Sequence, residues 1–268
     1  MQSADIAKGN VSLCYINGLK IGSISFDAYV EVFRQHLISR DKPTAFVAGR
    51  GYEESLGPET PDKVVYKAGD LGTILGEFYT VITGHCPGIP SYVAKAALEK
   101  SEVIGVSPFA NRDDHMANWR SSKIYSQTGF KLEPWESATI AIHTGVGLWH
   151  RDVCNIELTN NHRQHVYVVG GHTGTFHETI VAVAHDTVIG ALLGVEGVSN
   201  DMAIIKNYLD RYKANYHIVE DTDPKALVEK VMELDRILKE HEDGHKREKE
   251  EITPIKALLS ILEKKVSI

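Results

Sequence analysis

The chain has 268 residues, of which 43% are hydrophobic and 24% are charged, a composition that excludes disordered, collagen-like and disulfide-scaffold proteins. Its 29 basic and 36 acidic residues give a formal net charge of −7, so the overall charge does not attract nucleic acid or an anionic membrane surface. We therefore expect neither as a partner. No apolar run approaches the roughly 18 residues that span a bilayer, and residues 1–10 lack the apolar middle of a signal peptide. A cytoplasmic location is predicted.

The first predicted elements form a β-hairpin. Two short strand-like runs, Val11 to Ile16 and Leu19 to Ile24, flank Asn17-Gly18, the dipeptide that best supplies a two-residue hairpin turn. Apolar residues then recur at helical spacing from Phe26 to Ile38. We therefore predict a hairpin and helix extension, residues 1–42, in front of the main domain.

The region from residue 43 to residue 222 is predicted to be a domain of the α/β class. Seven short apolar strands are predicted there: Ala45 to Ala48, Tyr79 to Thr83, Val103 to Val106, Ala138 to His143, His165 to Val169, Val188 to Leu193 and Tyr216 to Val219. Helices are predicted at Tyr92 to Lys100, Gly147 to Leu158, Phe176 to Asp186, Ser199 to Lys213 and from Pro224 onwards. This alternation is typical of parallel strands joined by right-handed crossovers. The predicted fold is a Rossmann-like, doubly wound parallel sheet with helices on both faces.

Residues 223–268 are predicted to form a C-terminal helical tail. Lys239 to Glu251 has ten charged residues out of thirteen, which indicates a solvated helix or a linker. Beyond it, a helix start at Thr253-Pro254 precedes an apolar stripe of Ile255, Leu258, Leu259 and Leu262. That stripe would pack either on its own domain or on a second subunit.

Two glycine-containing segments, Thr83 to Pro90 and Gly170 to Glu178, each follow a predicted strand and precede a helical stretch. Doubly wound folds bind anionic ligands at such turns, because glycine admits a phosphate close to the backbone and the helix N-terminus favours negative charge. Tight turns also need glycine when they bind nothing. If the strand order reverses between them, the two strands would lie side by side and both turns would close over one ligand.

Other polar clusters in the sequence carry less information. Three histidines surround the second turn, His172, His177 and His185, but they lack the spacing of zinc ligands. We therefore predict neither a metal site nor a cofactor. Asn111 to His115 is a polar stretch, and we predict a surface loop there.

In the order and spacing of its motifs, the sequence resembles the Lonely Guy phosphoribohydrolases, often labelled lysine decarboxylases, and their relatives, which include the molybdenum cofactor carrier proteins. The resemblance runs from about Pro43 to Val219. It rests on the turn Thr83 to Ile89, the following Val103 to Pro108, the helix-start Arg151, and Gly170 to Glu178 in place of a PGGxGTxxE motif.

For the enzymes, the resemblance implies cleavage of the N-glycosidic bond of a nucleoside 5′-monophosphate to a free base and ribose 5-phosphate. It implies that Glu178 is the catalytic carboxylate, because a carboxylate stabilises positive charge on the ribose or positions the attacking water. It also implies that the catalytic Arg151 binds phosphate or ribose oxygens. The other predicted ligand-binding residues lie in the two turns and are Gly84, His85, Gly88, Gly170, Gly171, His172, Gly174 and Thr175.

Two alternatives remain. Gly170-Gly171-His172 is closer to the carrier-like branch than to the hydrolases, which favours a non-catalytic carrier or sensor of a nucleotide or of a molybdenum cofactor-like ligand. The second alternative is an interaction module, in which the fold is kept but the ligand pocket is lost. The resemblance also implies a homodimer or higher homo-oligomer, with the pocket near the subunit interface and a phosphate-bearing small molecule as partner.

Overall fold

The structure, a computed structural model, describes residues 10–15, 20–25, 42–51, 61–122, 132–145, 147–157 and 164–244. The hairpin turn, the helix predicted from Phe26 to Ile38 and the apolar stripe after residue 253 lie outside these residues.

The described residues form one mixed sheet. Its strands are β1 (Asn10–Tyr15), β2 (Lys20–Ser25), β3 (Thr44–Gly49), β4 (Thr80–Thr83), β5 (Val103–Ser107), β6 (Ile140–His143), β7 (Gln164–Gly171), β8 (Val188–Gly197) and β9 (His217–Asp221). The strand order is β2-β1-β6-β5-β4-β3-β7-β8-β9. Strands β3 to β9 are parallel throughout, which confirms the predicted α/β class, and the hairpin strand β1 pairs antiparallel with β6.

Seven α-helices and a short 3-10 helix, Pro134–Glu136, connect or flank these strands in the described part of the chain. The α-helices are α1 (Pro61–Phe78), α2 (Ile89–Ala97), α3 (Arg112–Ser121), α4 (Leu148–Glu157), α5 (Thr173–Ala184), α6 (Met202–Arg211) and α7 (Pro224–Gly244). None of the helices in the described ranges is long and apolar enough to cross a membrane.

Helix α3 occupies the place where the sequence predicted a surface loop, so that prediction was wrong. The side chain of Asn111 caps the helix by accepting a hydrogen bond from the backbone N–H of Asp114 at 2.9 Å. His115 and Trp119, one turn apart, are both buried. A cap and two buried residues therefore hold a helix whose remaining residues are mostly polar and are not buried.

Both faces of the sheet are covered, and β3 shows why its sequence is continuously apolar. Phe46 and Ala48 belong to one core with residues of α5 and α6. Ala45 and Val47 belong to the opposite core with residues of α1, α2 and α7. Because alternate side chains of a strand face opposite sides, a strand buried on both faces needs apolar residues at every position.

The strand order reverses at β3. Strands β4, β5 and β6 extend to one side of it, and β7, β8 and β9 extend to the other. Phe46 pairs with Ile82 of β4 and with Val166 of β7. The expectation that β4 and β7 lie side by side is therefore wrong, because β3 separates them. The crevice outside the carboxyl ends of strands at such a reversal is the usual ligand site of an open α/β sheet.

Candidate functional site

A cleft of about 410 Å³ opens at the reversal point, within the range of roughly 300–1,000 Å³ typical of small-molecule sites. The turns after β3, β4 and β7 and the first turns of α4 and α5 line it. Six of the sequence-predicted site residues lie in this lining: Gly84, Arg151, His172, Gly174, Thr175 and Glu178. The structure therefore brings the two glycine turns to one cleft, although their strands are not neighbours.

Four predicted ligand-binding residues are not in the lining: His85, Gly88, Gly170 and Gly171. Gly88 precedes α2, whose first N–H group, that of Ile89, donates to the carbonyl oxygen of Arg50 at 3.0 Å. The N–H group of Gly170 donates to Oγ of Ser199 at 2.9 Å. These glycines shape the turns, and the N–H group of Gly170 bonds to a protein atom and not to a ligand.

The turn from β7 into α5 depends on Gly171. Its φ of +93° lies in the region that favours glycine, and a Cβ there would overlap the side chain of Thr175. The turn delivers Thr173, Gly174 and Thr175, the first residues of α5, to the cleft. Because the first N–H groups of a helix have no intrahelical acceptor, this end of the cleft favours an anion.

Arg151 is buried at the floor of the cleft and is fixed from three directions. Nη1 donates to the carbonyl oxygen of Gly84 at 2.6 Å. Nε and Nη2 both donate to Oδ1 of Asp152, at 3.1 and 2.7 Å, and Nη2 lies 3.5 Å from Oε1 of Glu178. A Cβ at Gly84 would overlap the guanidinium. Glycine at this position therefore allows the arginine to reach the backbone.

The charges of this cluster are strongly coupled. Burial and, next, the nearby Asp152 raise the pKa of Glu178 well above its ordinary value, although Arg151 opposes them. Burial opposes the charge of Arg151, but Asp152 and Glu178 outweigh it and raise the pKa of the guanidinium. Glu178 therefore keeps a proton at higher pH than an ordinary glutamate, and its protonated carboxyl can donate to Asp152.

Sequence reasoning missed several residues that line the cleft. Asp152 follows Arg151 directly, and its Oδ2 accepts a hydrogen bond from Nδ1 of His177 at 3.2 Å. Arg50 lies in the turn after β3, between Gly49 and Gly51. The signal that could have indicated Arg50 was a glycine-containing turn, Gly49 to Gly51, directly after a predicted strand.

The cleft wall also contains Cys86, Leu148 and Trp149. Burial raises the pKa of the Cys86 thiol to about 12, so this cysteine is a neutral thiol and not a nucleophile. No group of three or more His, Cys, Asp or Glu side chains within the described ranges is arranged to hold a metal ion.

A second buried polar cluster lies behind the β4 turn and accounts for His85. Its ring is 4.5 Å from that of His115, which in turn is 5.4 Å from that of His143. Nε2 of His85 donates to the carbonyl oxygen of Pro134 at 3.0 Å, and Nε2 of His115 donates to the carbonyl oxygen of His85 at 2.9 Å. Burial is the largest cause that lowers the pKa of His85 and His143 to about 4 and that of His115 to about 2. We call these three residues the histidine cluster.

Comparison with solved structures finds proteins that share this fold. The structural-genomics target TM1055 is 19% identical with a TM-score of 0.54, and the match covers 71% of this chain and 98% of that one. The molybdenum cofactor carrier protein from Chlamydomonas reinhardtii is 21% identical with a TM-score of 0.51, covering 72% and 98%. At these identities the likeness shows the fold. No curated protein gives a significant sequence match.

A further structural neighbour is DNA processing protein A from Helicobacter pylori, which is described as binding single-stranded DNA. It is 16% identical with a TM-score of 0.42, and the match covers 68% of this chain and 85% of that one. The expectation that nucleic acid is not a partner is wrong as argued from the sequence, because a net charge of −7 describes the whole chain and not any local surface.

Finally, residues 44–228 match the model of the SLOG cluster4 family. The matched region extends from β3 into α7 and includes every residue of the cleft. Since it covers more than half of the sequence, the chain belongs to the SLOG cluster4 family.

Proposed function

We propose that this protein binds a nucleoside 5′-monophosphate in the cleft and hydrolyses its N-glycosidic bond. The observation that carries the proposal is the buried group of Arg151, Asp152 and Glu178 beside the N-terminus of α5. Two carboxyl groups with one shared cation suit a reaction that develops positive charge on a sugar.

The 5′-phosphate binds at the N-terminus of α5. Thr173 and Gly174 line the cleft there, and their N–H groups and the helix dipole favour a dianion. Arg50 lines the same cleft and adds positive charge. Arg151 is already engaged by Gly84 and the two carboxyl groups, so in this proposal it holds the carboxyl pair in place beside the ribose.

In the proposed reaction, Glu178 acts first as an acid. It donates its proton to the departing base nitrogen as the bond from C1′ breaks and the electron pair leaves with the base. The carboxylate of Asp152 stabilises the positive charge that develops on the ribose. Water then adds to C1′ and returns a proton to Glu178. The products are the free base and ribose 5-phosphate.

The test is to incubate the purified protein with a panel of nucleoside 5′-monophosphates and to measure free base and ribose 5-phosphate by chromatography. We expect release by the wild type and a loss of roughly 10²- to 10⁴-fold for Glu178→Gln, the range for removal of a general acid. Glu136→Gln, at an exposed glutamate that lies 4.0 Å from Lys95, is the matched control and should retain full activity. Absence of release from every nucleotide would exclude the hydrolase.

The second candidate is a carrier or sensor that binds the ligand without turnover. The observation that favours it is the full engagement of Arg151 by protein groups, which neutralises the carboxyl pair before any ligand arrives. Such a protein would show a ligand-dependent rise in Tm and would return the nucleotide intact in the same incubation.

A further inference from the structure

We infer that Trp149 is the surface on which the planar base of the ligand stacks, and that it selects nucleotides over phosphorylated sugars. This inference deepens the proposed function and rests on it.

Trp149 is partly exposed to water inside the cleft. Leu148 and Trp149 begin α4 and line the cleft with 48% and 38% of their surfaces exposed. Among the described lining residues, the other apolar side chains, Val47, Cys86 and Pro90, are buried. An indole left open to water forgoes a large burial energy. Its position at the cleft indicates that a ligand covers it.

The indole of Trp149 is held in place by protein groups without the ligand. Its ring meets that of His177 edge to face, with centroids 4.8 Å apart and planes at 87°. His177 is itself fixed by Asp152 through a bond of 3.2 Å, and Asp152 binds Arg151. A preorganised aromatic surface loses little conformational entropy when a ligand docks on it.

The groups that would contact the ligand follow a fixed order along α5. Thr173 and Gly174 form its N-terminus, while His177 and Glu178 follow one turn later. At 1.5 Å per residue, Gly174 and Glu178 are separated by about 6 Å along the helix axis. A phosphate at the N-terminus therefore places the sugar beside Glu178. The base then extends from that sugar towards Trp149, because the indole packs against the neighbouring His177.

The experiment measures dissociation constants of AMP and ribose 5-phosphate by titration calorimetry. All proteins carry Glu178→Gln, so that AMP stays intact. Adding Trp149→Ala should weaken AMP binding by about 5- to 150-fold, the factor that corresponds to loss of one base–aromatic stack. Ribose 5-phosphate, which has no base, should bind equally well to both proteins. Trp149→Phe should restore most of the AMP affinity.

Phe176→Ala is the matched control, because Phe176 is an aromatic residue of α5 with a similar exposure of 39% but does not line the cleft. It should change neither constant. Equal weakening of AMP and ribose 5-phosphate by Trp149→Ala would overturn the inference, as would no effect on AMP. Failure of both ligands to bind even the Glu178→Gln protein with Trp149 intact would overturn the proposed function, and the stacking inference with it. Binding of ribose 5-phosphate as tight as that of AMP would overturn the inference alone.

Discussion

Two buried polar clusters meet at the turn after β4, and they solve the problem of burial in opposite ways. In the cleft, Arg151 keeps its charge because the carboxyl groups of Asp152 and Glu178 surround it. In the histidine cluster, carbonyl oxygens accept the ring hydrogen bonds of His85 and His115, and burial keeps the rings neutral. The partner that is available therefore decides whether a buried group retains its charge or loses it.

The largest expected effect is the loss of stability in acid. The pKa of each residue in the histidine cluster is lower in the folded chain than its ordinary value of 6.5. Between pH 6.5 and about 4 the unfolded chain therefore binds protons that the folded chain does not. Stability should fall as the pH drops, by up to about 1.4 kcal/mol per pH unit for each histidine.

Denaturant titrations of the wild type and His115→Gln at several pH values measure this effect. Below pH 6.5 the free energy of unfolding of the variant should fall less steeply with decreasing pH, by a slope that corresponds to about one proton. Above pH 7 the difference in this free energy between the two proteins should stay constant. A parallel pair of curves down to pH 4 would show that His115 is not kept neutral by the fold.

The next effect is the removal of the cation from the cleft. Arg151→Met leaves Asp152 and Glu178 buried without their partner, and we expect a loss of about 3–5 kcal/mol in the free energy of unfolding. Arg120→Met is the matched control, because Arg120 is half exposed and pairs with Glu133 at 3.0 Å on the surface. It should cost no more than about 1 kcal/mol. Equal losses would mean that the cleft cluster is as well solvated as the surface pair.

A smaller effect is expected at the glycine that joins the two clusters. Gly84→Ala places a Cβ against the guanidinium of Arg151 and should displace it from the carbonyl oxygen of residue 84, at a cost of about 1–3 kcal/mol. Thermal unfolding measures the cost. Gly174→Ala is the matched control, since no atom lies within 4 Å of a Cβ at that helical position. An equal loss of stability in Gly174→Ala would show that the overlap with Arg151 is not the cause of the loss in Gly84→Ala.

The smallest effect is expected at the cap of the helix that carries His115. Asn111→Ala removes the hydrogen bond to the N–H group of Asp114 and should cost about 1 kcal/mol. Urea titration measures it. Asn111→Ser, which keeps a capping oxygen, should recover most of the loss, and failure to do so would show that the cap is not the cause.

The fold was largely predictable from the sequence because buried parallel strands are short apolar runs. Ala45 to Ala48 and Val103 to Val106 are examples, and each lies in a strand of the structure. Helix α3 was not predictable in this way, since its stability comes from one cap and two buried residues and not from an apolar stripe.

The candidate site was predictable only in part. The order of the motifs indicated Arg151 and Glu178, and in the structure Nη2 of Arg151 lies 3.5 Å from Oε1 of Glu178. Arg50 was missed because its relation to the other turns depends on the position of β3 between β4 and β7. The order of strands in a sheet follows from crossovers and not from any local pattern. Asp152 and Trp149 were missed because nothing in the sequence shows that they face the same cleft.

The pairing of β3 with β7 has a further consequence for how a ligand acts on the molecule. This pairing runs from Thr44 opposite Gln164 to Gly49 opposite Val169. It joins the half of the sheet that contains β3 to β6 to the half that contains β7 to β9. The cleft takes Gly84 from one half and Gly174 from the other. A bound ligand therefore acts as a non-covalent crosslink across this junction, and amide hydrogen exchange in β3 and β7 should slow together when the cleft is filled.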